Sequence, residues 1–339
     1  MELVNWRIAL VAAVSVISLG SAITVNSISS ALQTGSDCWR REAATIAAYE
    51  RAASQNPQTF LAQLALAGCY DNAWRFQDVE PALARAATVL VTEVGAWVPK
   101  PGARPVAGED VRAPKRTRDK MAGYPERALI NGVRGLVILE LLINPKGEVK
   151  EVRAVQAPPE LAEAAMKAAR DWKFEPTMIA GKPAEVLGYA AVRFGQTSEP
   201  IPADFMEMAA FYYQRGLFRL VRAALESALA RSREDRDRFG AWVHMSSRPG
   251  AAFTNPVKTR DVPPKYPESA LSGRMQGSVV IEVLLDTRGT IGRVHIVSPP
   301  SVLDAAAVQA VLQWQFTPAT RDGVPTAIAI MNRVDFRVR

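Results

Sequence analysis

Histidine and cysteine are almost missing from this chain: 339 residues hold two of each, His244, His295, Cys38 and Cys69. That scarcity excludes much. No His-Glu-x-x-His zinc motif, no Gly-x-Ser-x-Gly nucleophile turn and no phosphate-cradling glycine loop occurs. His295 sits between Val294 and Ile296 on an apolar strand and reads as structural, and His244 lies near a linker. Two cysteines with no histidine nearby do not make a metal site. Glu140 and Glu282 occupy equivalent places in separate units, so nothing pairs them as acid and base. The chain is therefore read as a non-enzyme, with no catalytic residue, metal or cofactor. Charged residues are 22% and apolar residues 48%, which excludes wholesale disorder. The net charge of +7 gathers at Arg112, Lys115, Arg116, Arg118 and Lys120, and at Arg231, Arg233, Arg236 and Arg238. These runs lack interleaved aromatics, so no nucleic-acid partner is expected, and they read as solvated faces.

A long charge-free run occurs at Ile8–Val25, behind Arg7. It sits at the lower limit for a membrane-spanning helix, about 18 residues. Two readings stay open for residues 1–30. One is an uncleaved membrane anchor, the favoured reading. The other is a cleaved signal peptide, with small residues at Gly20-Ser21-Ala22 and Ser29-Ser30-Ala31, which would leave an exported protein without an anchor. Both place the chain after Val25 in an exported, oxidising compartment, where a disulfide can persist. A helix from about residue 36 to 54 and another from 57 to 72 would form a hairpin around Gln55-Asn56. Cys38 and Cys69 then meet at its open end, within about one helical turn of rise. A Cys38–Cys69 disulfide is expected, with two buried thiols as the alternative.

What is abundant is repetition at a fixed offset of 142 residues. Tyr124-Pro125-Glu126 returns as Tyr266-Pro267-Glu268, Gly135, Glu140 and Gly147 as Gly277, Glu282 and Gly289, and Trp172, Phe174 and Pro176 as Trp314, Phe316 and Pro318. Gly181 and Pro183 return as Gly323 and Pro325. Such a long period marks a duplicated module rather than a solenoid. The helical stripes repeat as well: Tyr70, Phe76, Leu83 and Ala86 match Tyr212, Phe218, Leu225 and Ala228. The expected plan is a helical hairpin at 36–97, a proline-rich linker at 98–118, an α+β domain at 119–196, a second hairpin at 200–240, a linker at 246–264 and a second α+β domain at 265–339. The hairpins loosely resemble single tetratricopeptide motifs, and packing is their expected role.

Each α+β unit reads as αββαβ. In the first, a short helix precedes strands at Gly135–Ile143 and Val149–Val155, a helix at Glu160–Asp171 and a last strand at Val186–Phe194. In the second, strands at Ser278–Leu285 and Ile291–Val297, a helix at Val302–Gln313 and a strand at Ala327–Val338 follow. The first two strands form a hairpin, and a helical crossover returns the last strand beside the first. A three-stranded antiparallel sheet results, in the order second, first, last. The last strand is then an edge that can accept another strand.

These residues resemble the TonB C-terminal domain family. The second copy carries the pattern in Tyr266-Pro267, Gly277, Gly289, Leu303-Asp304-Ala305-Ala306, Trp314, Phe316, Pro318, Gly323, Pro325 and Phe336. The first departs from it where Leu161-Ala162 stands for Leu-Asp. The resemblance implies an inner-membrane energy transducer whose C-terminal domain takes up an extended segment of an outer-membrane TonB-dependent transporter, or of a periplasmic protein, by strand addition. It also implies inner-membrane motor proteins as partners. The implied partner-binding residues are Tyr266, Pro267, Ile328, Ile330, Asn332, Val334 and Phe336, and a proline at Ile330 is expected to abolish binding. The alternatives are that the edge pairs within a homodimer, or is guarded by Arg333, Asp335 and Arg337, and that Tyr266 packs a helix-entry turn. Two departures keep a second function open, a non-energised periplasmic adaptor on the same edge. The run 8–25 has no histidine, and Val98–Arg118 spans only about 70 Å fully extended.

Overall fold

A computed structural model describes residues 38, 41–94, 105–131, 133–194, 201–240, 242–244, 252–298 and 301–337. The expected anchor or signal segment 1–30 and parts of both linkers lie outside these residues. Among the described residues, no helix is long and apolar enough to cross a membrane.

Three helices open the described chain: α1 (Ala43–Gln55), α2 (Phe60–Asn72) and α3 (Phe76–Val94). Cys38 and Cys69 are joined by a disulfide with a Cα–Cα distance of 5.2 Å, which clips the segment before α1 to the last turn of α2. The first α+β unit follows: β1 (Arg116–Arg118), α4 (Glu126–Ile130), β2 (Gly135–Ile143), β3 (Val149–Gln156), α5 (Pro159–Ala169), β4 (Lys173–Phe174) and β5 (Val186–Phe194). Helices α6 (Pro202–Tyr213) and α7 (Phe218–Phe239) form the second hairpin. They begin 142 residues after α2 and α3. The second unit has β6 (Val243–His244), β7 (Lys258–Arg260), α8 (Glu268–Ser272), β8 (Gly277–Leu285), β9 (Ile291–Ile296), α9 (Asp304–Val311), β10 (Gln315–Phe316) and β11 (Ile328–Phe336).

The first sheet runs β3-β2-β5, all antiparallel. The second runs β9-β8-β11-β6, with β6 parallel to β11. The fourth strand differs from the expected three-stranded sheet. Its two residues lie beside a proline-rich linker, and no hydrophobic period announces a strand so short. The linkers also end in strands, β1 on β4 and β7 on β10, although their prolines argue against regular structure.

The recurrent residues explain the shared geometry. Trp172 Nε1 donates to Lys120 O at 3.0 Å, and Trp314 Nε1 to Val262 O at 2.9 Å, so each indole pins the end of its linker. Gly147 and Gly289 have φ of +81° and +79°, and a Cβ there would stand 1.9 and 2.2 Å from the carbonyl oxygens of Phe174 and Phe316. Only glycine fits both the left-handed backbone and the close approach.

Both sheets are covered on two faces. Leu139, Leu141, Leu161 and Trp172 form the inner core of the first, while Leu136 and Ile138 on the other face join the helical core with Leu64, Leu83 and Phe211. Ile281, Val283, Val308 and Trp314 form the inner core of the second. On its other face Leu284 and Ala329 pack on Trp74, Phe76 and Phe239. A buried cation ties these layers together. Arg293 on β9 donates to Asp71 of α2 at 2.9 Å and to Asp235 of α7 at 2.6 Å. The basic run on α7 is not a free solvated face. Arg233 and Arg236 hold Glu80 of α3, and Arg238 holds Asp286 at 3.1 Å.

Candidate functional site: the edge of the second sheet

Strand β11 pairs with β8 along its whole length, from Ile328 opposite Leu285 to Phe336 opposite Gly277. Among the described residues, its other side is covered only at Ile328 and Ala329, by Val243 and His244. Val243 N–H donates to Ala327 O at 3.1 Å. Backbone groups alternate sides along a strand. The odd-numbered residues of β11 therefore face outward, and the even-numbered ones bond to β8. Beyond Ala329, the backbone groups of Met331, Arg333 and Asp335 meet no strand among the described residues.

This parity sorts the expected residues by the side they face. Ile328, Ile330, Val334 and Phe336 are buried in the inner core, Asn332 is half-buried, and all five belong to the set that bonds to β8. Met331, which sequence reasoning did not name, and Arg333 and Asp335, which it read as guards of the edge, are exposed at the rim. The missed signal was the alternation itself. Apolar alternate residues mark the side chains a sheet buries, and their neighbours are the ones free to meet a partner. Arg333 and Asp335 pair with each other at 2.7 Å and so leave the rim nearly neutral. Asn332 Nδ2 is buried with no hydrogen-bond acceptor among the described residues.

Tyr266 lies at the far end of this edge. Its ring meets Phe336 edge-on at 5.4 Å, and its hydroxyl donates to Met275 O. Tyr124 repeats both contacts, with Phe194 at 5.3 Å and Val133 O at 2.6 Å. The Tyr-Pro turn thus closes the loop after α4 or α8 onto the last strand. Pro267 stands at the start of that turn, and its carbonyl accepts from Leu271 N–H at 3.0 Å.

Behind the edge, four side chains converge that the sequence keeps far apart. Glu282, buried on β8, pairs with Arg41, with His244 Nε2 at 3.3 Å and with His295 Nδ1 at 3.5 Å. Both histidines of the chain thus meet one carboxylate. Burial would raise the Glu282 carboxyl, but hydrogen bonds from His295 and Arg41, and their charges, hold it at about 2. Arg41 also stacks over Trp74, 4.3 Å from the ring centroid. In the first copy the equivalent cross-strand pair is Glu140 with Arg153 at 2.6 Å, on a more exposed face. The repeat offset places His295 on Arg153, a signal that His295 faces a carboxylate. Arg41 left no such trace.

Residues 121–195 and 262–338 match the family model described as Gram-negative bacterial TonB protein C-terminal. Among curated proteins, Protein TonB of Vibrio cholerae serotype O1 is 30% identical over 96 residues, covering 28% of this chain and 39% of that protein. Protein TonB of Xanthomonas campestris pv. campestris, strain B100, is 34% identical over 76 residues, 22% of this chain and 34% of that protein. The aligned stretches thus span less than two-fifths of the length of these relatives. The duplicated αββαβ unit, its Tyr-Pro turn and Trp-x-Phe-x-Pro segment, and these matches agree: residues 121–195 and 262–338 are two copies of a domain of the TonB C-terminal family.

Proposed function

We propose that this protein is a TonB-like energy transducer of the inner membrane, facing the periplasm. It accepts an extended segment of an outer-membrane transporter as an added strand on β11. The observation that carries this reading is the row of outward backbone groups at Met331, Arg333 and Asp335, beside the rim of the better-matching copy. Main-chain hydrogen bonds would supply affinity, and the Asn332 amide is an unused donor near the same edge. Arg41 and the Cys38–Cys69 disulfide link the segment leading from the membrane side to the second sheet and to α2, which gives pulling force a short path to the edge.

The adaptor reading draws on one observation: both histidines lie at Glu282, so the apolar run 8–25 has none for engaging a motor. Crosslinking the full chain in membranes separates the two. Recovery of motor proteins together with an outer-membrane transporter supports transduction, and recovery of outer-membrane or periplasmic partners alone supports the adaptor. Met331→Pro tests the edge in the same experiment. It deletes an outward N–H and leaves the β8 ladder intact, so partner recovery should fall while the fold persists. Undiminished recovery overturns strand addition. Ile330→Pro, the substitution suggested by the sequence, is the wrong probe, because its N–H faces β8 and its loss would damage the domain itself.

A further inference from the structure

Strand β6 occupies the start of the edge to which the proposed function assigns binding. It runs parallel to β11, with Val243 opposite Ile328 and His244 opposite Ala329. Its anchors lie mostly outside the ladder. Trp242 Nε1 donates to Trp74 O at 3.2 Å, and the two indoles meet edge-on at 5.8 Å. His244 reaches Glu282 on the neighbouring strand. The first domain repeats the arrangement from its own linker. Val106 bridges Leu187 in parallel, with Ala107 N–H on Leu187 O at 2.7 Å and Leu187 N–H on Pro105 O at 3.0 Å. Leu187 and Ala329 are 142 residues apart, so the first linker and β6 return to the same place on their own domains.

We propose that β6 is a self-ligand, an autoinhibitory strand that limits the open edge to Met331–Asp335 and must leave before a longer extended peptide can pair back to Ile328. The contact area suits a removable strand. Among the described residues β6 pairs over two residues, whereas β8 and β11 pair over nine. Val243 and His244 are only half-buried. A partner running parallel to β11 would continue along the line β6 already takes, so the two cannot share Ile328 and Ala329. The incoming segment this fits is an uncharged, extended stretch with an apolar residue where Val243 now sits, between the inner core and the Trp74–Trp242 pair.

The inference rests on strand acceptance by β11, and the test separates the two. The probe is a labelled synthetic peptide with the sequence of residues 239–247, titrated onto the full chain. Val243→Pro removes the N–H that bonds Ala327 O, and Trp242→Ala removes the anchor on Trp74 without touching the ladder. Each should bind the peptide at least tenfold more tightly than the unaltered protein and should speed amide exchange at Ala329. Adding Met331→Pro to either should remove the gain. Equal binding by the unaltered protein and both variants, lost with Met331→Pro, overturns autoinhibition and leaves strand acceptance standing. Faster exchange at Ala329 with no peptide binding overturns strand acceptance. Unchanged exchange at Ala329 in both folded variants overturns the self-ligand itself.

Discussion

Arg293→Met should be among the most damaging single substitutions in the second unit. Arg293 is 4% exposed, and one of its nitrogens serves two carboxylates that are themselves buried, Asp71 and Asp235. Asp71 also accepts Ala203 N–H at 3.1 Å, at the first turn of α6. One cation therefore joins β9 to both helical hairpins. Removing one partner of a buried ionic cluster costs about 3–5 kcal/mol, because the remaining charges lose their compensation. Burial already pushes the Asp71 carboxyl up to about 6, against the downward pull of Arg293. A carboxyl raised in the folded state favours folding fully below its unfolded value, near 3.8, and that benefit is lost as pH rises through 6. The shift of roughly two units corresponds to about 3 kcal/mol. Without Arg293 the Asp71 carboxyl should rise further, so the variant should suffer most at pH 8 and recover in part at pH 5, where Asp71 holds a proton. Urea titration of the disulfide-intact chain, followed by tryptophan emission, measures this. A loss under about 1 kcal/mol at pH 8, or one no smaller at pH 5, would refute the reasoning.

Two further outcomes follow from buried groups. Burial raises the Glu207 carboxyl to about 8, partly offset by Gln156 and Arg193, so it is neutral at pH 7 where α6 meets the first sheet. Stability should therefore fall by up to about 1.4 kcal/mol per pH unit as pH climbs from 6 to 8, and Glu207→Gln should flatten that slope in denaturation curves. Replacing Cys38 and Cys69 with alanine frees a 31-residue separation, and calorimetry should show a loss of about 3–4 kcal/mol.

Much of the fold was legible because it rests on local signals. The apolar runs Gly135–Ile143 and Ser278–Leu285 marked central strands, and the crossover rule placed the last strand beside them. The helix lengths between Cys38 and Cys69 were enough to bring the two sulfurs together. The candidate site was only half legible. Sequence pointed to the strand, but its apolar alternation selected the residues facing the core, so Met331 was passed over and Arg333 and Asp335 entered only as guards of the edge. Other features had no local trace. β6 is two residues long, and Arg41 reaches Glu282 across 241 residues. The arginines of α7 look like a solvated run along the helix, yet Glu80 and Asp286 come to them from other elements.

The two copies share a backbone plan, and the helices packed around them make the difference in what they can accept. Tyr189, Ala191 and Arg193 of the first copy correspond to Met331, Arg333 and Asp335 of the second. In the first, Tyr189 packs edge-on against Phe211 and Tyr212 of α6, and Arg193 is held by Asp204. A strand arriving there would have to part a buried aromatic cluster and an ion pair whose carboxylate is 4% exposed. In the second, Met331 is 43% exposed and, among the described residues, Arg333 pairs only with Asp335 on the same strand. Glu140 and Glu282 show the same divergence from the opposite direction. Glu140 answers one exposed arginine and a tyrosine hydroxyl, while Glu282 gathers Arg41, His244 and His295 and fastens the sheet to the helical body. α6 packs its aromatic and acidic side chains on the outer face of the last strand of the first sheet, whereas the second sheet is fastened to the helical body through Glu282. That contrast is the reason the proposed function assigns a partner to the second rim.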